Sequence, residues 1–168
     1  MDLDYILYDT AVFGTVANFE SVLFQVAQGA DVTHVESFTN MRGAGALPQE
    51  EAFKCNWLGV TVDFTSTLPQ DYKAMWLASF LEFRLSDKTV LKIPLAAAAA
   101  YSAFSGHYSQ AAAADNAAVS LMGNGYTLDI PIEISGGTAF RVRVVQGTVL
   151  SAASKNVKIL LGGILTTK

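Results

Sequence analysis

The chain of 168 residues is poor in the side chains that most sites of chemistry require. It has one cysteine, Cys55, and two histidines, His34 and His107. A single cysteine rules out an internal disulfide framework, and with two histidines it makes too small a donor set for a zinc site. The fold therefore stands on its core or on contacts between subunits. Cys55 lies in the strand-like run Phe53-Lys54-Cys55-Asn56-Trp57, where a lone cysteine reads as a small buried hydrophobe. Only 15% of residues are charged, against 51% hydrophobic, and the formal net charge is −4. So few charges solvate a free monomer poorly, and shared surfaces are expected. High apolar content with low charge also excludes disorder as the dominant state.

No lysine or arginine precedes Arg42, and Asp2, Asp4 and Asp9 make the start acidic. That start is unlike a secretory signal. No run of about 18 uncharged apolar residues reads as a membrane span. The nearest candidate, Ile93 to Asp115, is too rich in Ala, Ser, Gly and Gln for lipid. Bases are scattered, the closest pair being Arg141 and Arg143 on one strand face, which argues against direct nucleic-acid binding.

Motifs of chemistry are missing as well. There is no phosphate-binding loop and no Gly-x-Ser-x-Gly elbow, and Gly43-Ala44-Gly45 lacks the trailing glycine of a dinucleotide fingerprint. A catalytic histidine needs an orienting acid and a nucleophile in reach, and His34, in the polar/apolar alternation of Asp31, Thr33 and Glu36, and His107, beside Tyr101, Phe104 and Tyr108, read instead as surface or packed side chains. Asp129 and Glu133 share a strand face but stand roughly 13 Å apart at ~3.3 Å per residue. A glycoside-cleaving pair needs ~5–9.5 Å. Asp63 and Asp71 make a weak calcium candidate. The expectation is no enzyme, no cofactor, no metal and no small-molecule substrate.

What is present is period-two alternation. Strands are expected at Glu20–Ala27, His34–Thr39, Phe53–Phe64, Ser79–Leu85, Thr89–Leu95, Tyr126–Ile134, Thr138–Val145 and Asn156–Leu165. Asn40 to Glu51 reads as a loop and Gln70 to Trp76 as a short helix. Within Tyr126–Ile134, Tyr126, Leu128, Ile130, Ile132 and Ile134 fall on one face, and Pro131 places the strand at an edge or beside a bulge. Gly162-Gly163 marks a bulge in the last strand. Residues 1–19 read as an N-terminal arm or an edge strand, and 20–168 as one domain. The Ala-rich stretch Ala96–Ser120 reads as a long, partly helical excursion, with Tyr101, Phe104 and Tyr108 on one helix face. Strands and helices do not alternate, so a parallel α/β sheet is excluded. The expected fold is all-β: an antiparallel β-sandwich, a jelly roll of about eight strands, with an immunoglobulin-like sandwich as the alternative.

Several short blocks carry a family likeness. Phe38-Thr39-Asn40-Met41-Arg42-Gly43-Ala44-Gly45-Ala46-Leu47-Pro48 leads into a strand opening with Phe53. Ile130-Pro131-Ile132 precedes Gly136-Gly137-Thr138-Ala139-Phe140-Arg141-Val142, and Val157 to Leu165 closes the chain. Spread over residues 20–165, these blocks resemble single jelly-roll coat proteins of tail-less icosahedral bacteriophages, a group that includes membrane-containing phages. The first 19 residues and the Ala-rich excursion have no counterpart in that likeness. The resemblance implies a capsid subunit made in the host cytoplasm and located in the virion. Its partners would be copies of itself and other coat or vertex proteins, with an underlying viral membrane as a further candidate. The acidic start then implies a layer between this protein and the genome. Candidate contact residues are Leu3, Tyr5, Ile6, Leu7 and Tyr8 at the start, and Tyr101, Phe104 and Tyr108 in the excursion. The rival expectation is a receptor- or carbohydrate-binding β-sandwich on a virion or cell surface.

Overall fold

A computed structural model describes residues 1–14, 19–62, 76, 78–100, 102–107, 118–123, 125–149 and 155–167. The strands are β1 (Asp2–Phe13), β2 (Phe19–Leu23), β3 (Glu51–Val62), β4 (Phe80–Leu85), β5 (Lys88–Pro94), β6 (Ser102–His107), β7 (Ala118–Gly123), β8 (Tyr126–Ser135), β9 (Phe140–Gln146) and β10 (Lys155–Thr167). A helix, α1 (Leu95–Ala100), follows β5. The first sheet has the order β1-β10-β3-β8 and the second β2-β9-β4-β5; β6 and β7 pair separately. Every pairing within the two large sheets is antiparallel. Along the chain the strands pass repeatedly from one sheet to the other, which is jelly-roll connectivity. The expected all-β sandwich is the fold observed.

Alternation builds the layers. In β9, Phe140, Val142 and Val144 are buried while Arg141, Arg143 and Val145 are only partly so. The inner faces supply a core that includes Leu7, Leu58, Val60, Leu81, Phe83, Ile159 and Leu161. Phe140 lies between Phe24 and Phe83, with ring centroids 5.7 and 6.2 Å away. Such pairs add about 0.5–1.5 kcal/mol beyond burial. Leu95 and Ala98, three residues apart on α1, bury against one end of the sandwich.

Both predicted irregularities are present. The β10–β3 register shifts between Gly162 and Gly163. A Cβ on Gly163 would lie 1.9 Å from the Lys54 carbonyl oxygen, so the strand must break step there. Pro131 lies on β8, the last strand of its sheet, beside a break where Leu128–Pro131 stand opposite Asn56 alone.

Some expectations are corrected. The strand from Glu20 ends at Leu23 instead of Ala27, because Phe24 takes a left-handed φ of 64°. His34–Thr39 forms turns and no strand. There the Asp31 carboxylate accepts hydrogen bonds from the backbone N–H groups of Thr33 (2.7 Å) and His34 (2.9 Å), which ties the chain locally and competes with a ladder. Ile130 leaves the Tyr126–Ile134 apolar face and is 83% exposed, since the break in β8 turns it outward. Among its described residues the excursion has a helix of six residues and then the paired strands β6 and β7. Phe104 is in β6 opposite Leu121, so it does not share a helix face. A helix this short gains few backbone bonds against its nucleation cost, and cross-strand pairing prevails. Tyr101, Tyr108, Asp63, Asp71 and nearly all of Gln70–Trp76 lie outside the described residues.

Candidate interaction face

The first sheet turns an apolar face outward. Inward residues of β1 include Leu7, Asp9, Ala11 and Phe13, so Asp4, Ile6, Tyr8 and Thr10 point out. On β10, Val157, Ile159, Leu161 and Leu165 are buried, which leaves Lys158, Leu160, Gly162 and Ile164 outside. The registers align these into rows across three strands: Asp4–Ile164–Lys54, Ile6–Gly162–Trp57, Tyr8–Leu160–Gly59 and Thr10–Lys158–Thr61. The Trp57 indole lies across Gly162, where a Cβ would fall 1.8 Å from Cε2, and beside Gly59 at 3.0 Å. Two glycines thus let a large ring lie flat against the sheet. Ile6 is 44% exposed.

The rim of this face is closed against strand addition. Asn40 clasps the β1 edge: its Oδ1 accepts from Tyr8 N–H (2.8 Å), its Nδ2 donates to the Ile6 carbonyl (2.8 Å), and its own N–H donates to the Tyr8 carbonyl (3.2 Å). Gln146 does the same at Gly14, accepting from its N–H (2.9 Å) and donating to its carbonyl (2.7 Å). Residues 36–38 form a strap at the edge of the face. There the Tyr8 hydroxyl donates to the Glu36 carbonyl (2.6 Å), Thr10 Oγ1 to the Phe38 carbonyl (2.8 Å) and Lys158 Nζ to the Ser37 carbonyl (2.7 Å). On the opposite edge the break at Pro131 interrupts the ladder. These are the devices by which sheets avoid edge pairing.

The second sheet presents a different outer face. Arg143 pairs with Glu20 (2.7 Å) and Glu82 (3.1 Å), while Thr89 donates to Glu82. The Thr89 hydroxyl and then Arg143 hold the Glu82 carboxyl below its ordinary range. The hydrogen bond from Arg143 does the same for Glu20. Lys92 sits 4.5 Å from the Phe80 ring centroid and Arg143 5.8 Å from it. This face is laced by charge and suits water.

A cleft of about 280 Å³ opens between β1 and β2, lined by residues that include Asp9, Val12, Phe19, Val22 and His34. The groups here are already engaged. Asp9 accepts from the N–H groups of Phe24 (2.5 Å) and Thr10 (2.9 Å), and burial pushes its carboxyl up. His34 Nδ1 lies 2.8 Å from Asp31. The Cys55 thiol is fully buried and pushed up to about 12 by that burial. Asp129 and Glu133 are exposed. Among the described residues no three His, Cys, Asp or Glu side chains group as metal ligands, and no helix is long and apolar enough to cross a membrane.

The expected contact residues separate on this geometry. Leu7 is core, 3% exposed, because it falls on the inward face of β1, and it cannot serve as a contact. Tyr5 packs partly buried against that core. Leu3, Ile6 and Tyr8 remain on the surface to differing degrees, and Ile6 and Tyr8 lie in the apolar rows. Trp57, Leu160 and Ile164 were missed. Their signal was the unalternating run Ile159-Leu160-Leu161-Gly162-Gly163-Ile164-Leu165, which reads as a strand covered on both sides. No protein-family model matches the chain, and comparison with curated proteins and with solved structures returns no match.

Proposed function

We propose that the chain is a structural subunit that self-assembles, a coat protein of an icosahedral virion shell. A jelly roll alone does not select this role, since lectins and cupins use it too. The observation that carries the reading is the contrast between outer faces: one has an ion-paired network with Val22 and Val90 exposed beside it, and the other has two adjoining apolar rows with Ile6 exposed among half-buried Tyr8, Trp57, Leu160 and Ile164. Contiguous apolar surface on a sheet is a feature of contact surfaces. The likeness of the Phe38–Pro48, Ile130–Val142 and Val157–Leu165 blocks to phage coat proteins points the same way. The acidic first strand supports a place away from the genome, so retention on heparin at physiological salt is expected to be weak.

Light scattering and negative-stain imaging of the purified protein at rising concentration test the proposal. Closed particles or extended lattices are the expected outcome. The flat Trp57 ring favours one rival, a carbohydrate-binding module. A discrete small species that binds a defined glycan on an array would replace the coat reading with that one.

A further inference from the structure

We propose that the apolar face of the first sheet packs against the same face of a second copy, about a two-fold axis running along β10. The inference rests on the self-assembly reading and names the surface and the geometry.

Three observations lead to it. First, β10 is apolar on both sides. Its inner residues Ile159, Leu161 and Leu165 are buried in the core, while Leu160 and Ile164 face outward with Ile6 and Trp57 beside them. A strand of this composition ordinarily has both faces covered. Second, Asn40 occupies the β1 edge at Ile6 and Tyr8, and the edge strand β8 carries Pro131 beside a break in its pairing with β3; both features work against edge-to-edge pairing. The approach left is face to face. Third, the charges are self-complementary. Asp4 and Lys54 flank Ile164 in one row, acid on β1 and base on β3. A two-fold axis along β10 lays β1 of one copy over β3 of the other. Asp4 then meets Lys54 of the second copy, and Lys54 meets its Asp4. Ile164 and Leu160 meet their own counterparts, and Tyr8 faces the Trp57 and Leu160 side chains that flank Gly59.

Lys158 also meets its counterpart, but its ammonium is drawn aside to the Ser37 carbonyl and lies 4.9 Å from the Tyr8 ring centroid. Lys54 is free to re-pair, being half exposed with only a 3.8 Å contact to the exposed Glu133. The axis overlays three strands, β1, β10 and β3, which measure roughly 14 by 40 Å at usual spacings. That is about 560 Å² of flat area on each copy, at the lower end of the range for specific interfaces. Stacked sheets aligned within about 30° are a known packing.

Sedimentation velocity on the full chain tests the geometry. Asp4→Lys and Lys54→Glu should each raise the dimer Kd about tenfold or more, since each sets like charges opposite. The double swap should return it to within about threefold of wild type. As a second readout, Ile164→Cys should cross-link to a dimer with a short bis-maleimide, and Val90→Cys on the other sheet should not. Cys55 is buried and leaves this readout clean. Single reversals without effect, a swap that fails to rescue, or an Ile164→Cys chain that stays uncross-linked each overturn the proposal. If wild type still assembles in those cases, the face is wrong and the coat reading survives. If wild type stays monomeric at every concentration, both fall.

Discussion

The outer faces of the two sheets are made by one chain and one alternation rule, yet they solve solvation in opposite ways. On the second sheet, Glu20, Arg143, Glu82 and Thr89 join four strands into a charged ladder. On the first, Ile6, Leu160, Ile164 and Trp57 surround two glycines, and the charges Asp4, Lys54 and Lys158 stand in the rows at either end. A sheet that must face water fills its outer positions with pairs of opposite sign. On the first sheet the two middle rows, Ile6–Gly162–Trp57 and Tyr8–Leu160–Gly59, hold no charge, and Asp4, Lys54 and Lys158 lie in the rows to either side.

The largest expected effect tests how the apolar face is built. Gly162→Val places a side chain where the Trp57 ring lies and should destabilise the fold by about 3 kcal/mol in chemical denaturation. A loss under about 0.5 kcal/mol would show that the ring is not seated there.

Next comes the link between the layers. Asp9 on β1 holds Phe24, just past β2, in its left-handed conformation. Asp9→Ala leaves two backbone N–H groups without their acceptor and should cost about 2 kcal/mol.

The charged face should respond to acid. Glu82 has a folded pKa below its unfolded value of about 4.3, so its contribution is complete above that value. It is lost as pH falls through the lowered folded value. Wild type should therefore lose stability between about pH 5 and pH 3, and Glu82→Gln should flatten that part of the profile while costing about 1–2 kcal/mol at neutral pH. An unchanged acid profile in the variant would remove the ladder's role.

The smallest folding effects come from exposed apolar residues on either face. Ile6→Ser and Val22→Ser should each change monomer stability by under about 0.5 kcal/mol. They should differ in association, which Ile6→Ser weakens and Val22→Ser does not.

Much of this was legible residue by residue. Phe140, Val142 and Val144 alternate with Arg141 and Arg143, and that local period assigns their faces without knowledge of any neighbour. Gly162-Gly163 and Pro131 announced the bulge and the interrupted edge through backbone chemistry alone. The interaction face was less legible. Leu7 and Ile6 are adjacent and equally apolar, and only the direction of the pleat makes one core and the other surface. The Asn40 clasp was invisible, because its partners Ile6 and Tyr8 are more than thirty residues away in the chain.

The order of strands in each layer was likewise beyond local reading, since alternation says which residues share a side and nothing about what lies beside them. Composition and periodicity sufficed for an all-β sandwich, its bulge, its edge proline and its inert cysteine. The rows Asp4–Ile164–Lys54 and Ile6–Gly162–Trp57 came into being only when β1, β10 and β3 were laid side by side. Pairing brings together residues from the two ends and the first third of the chain, and their register is settled by the closing of the whole sandwich.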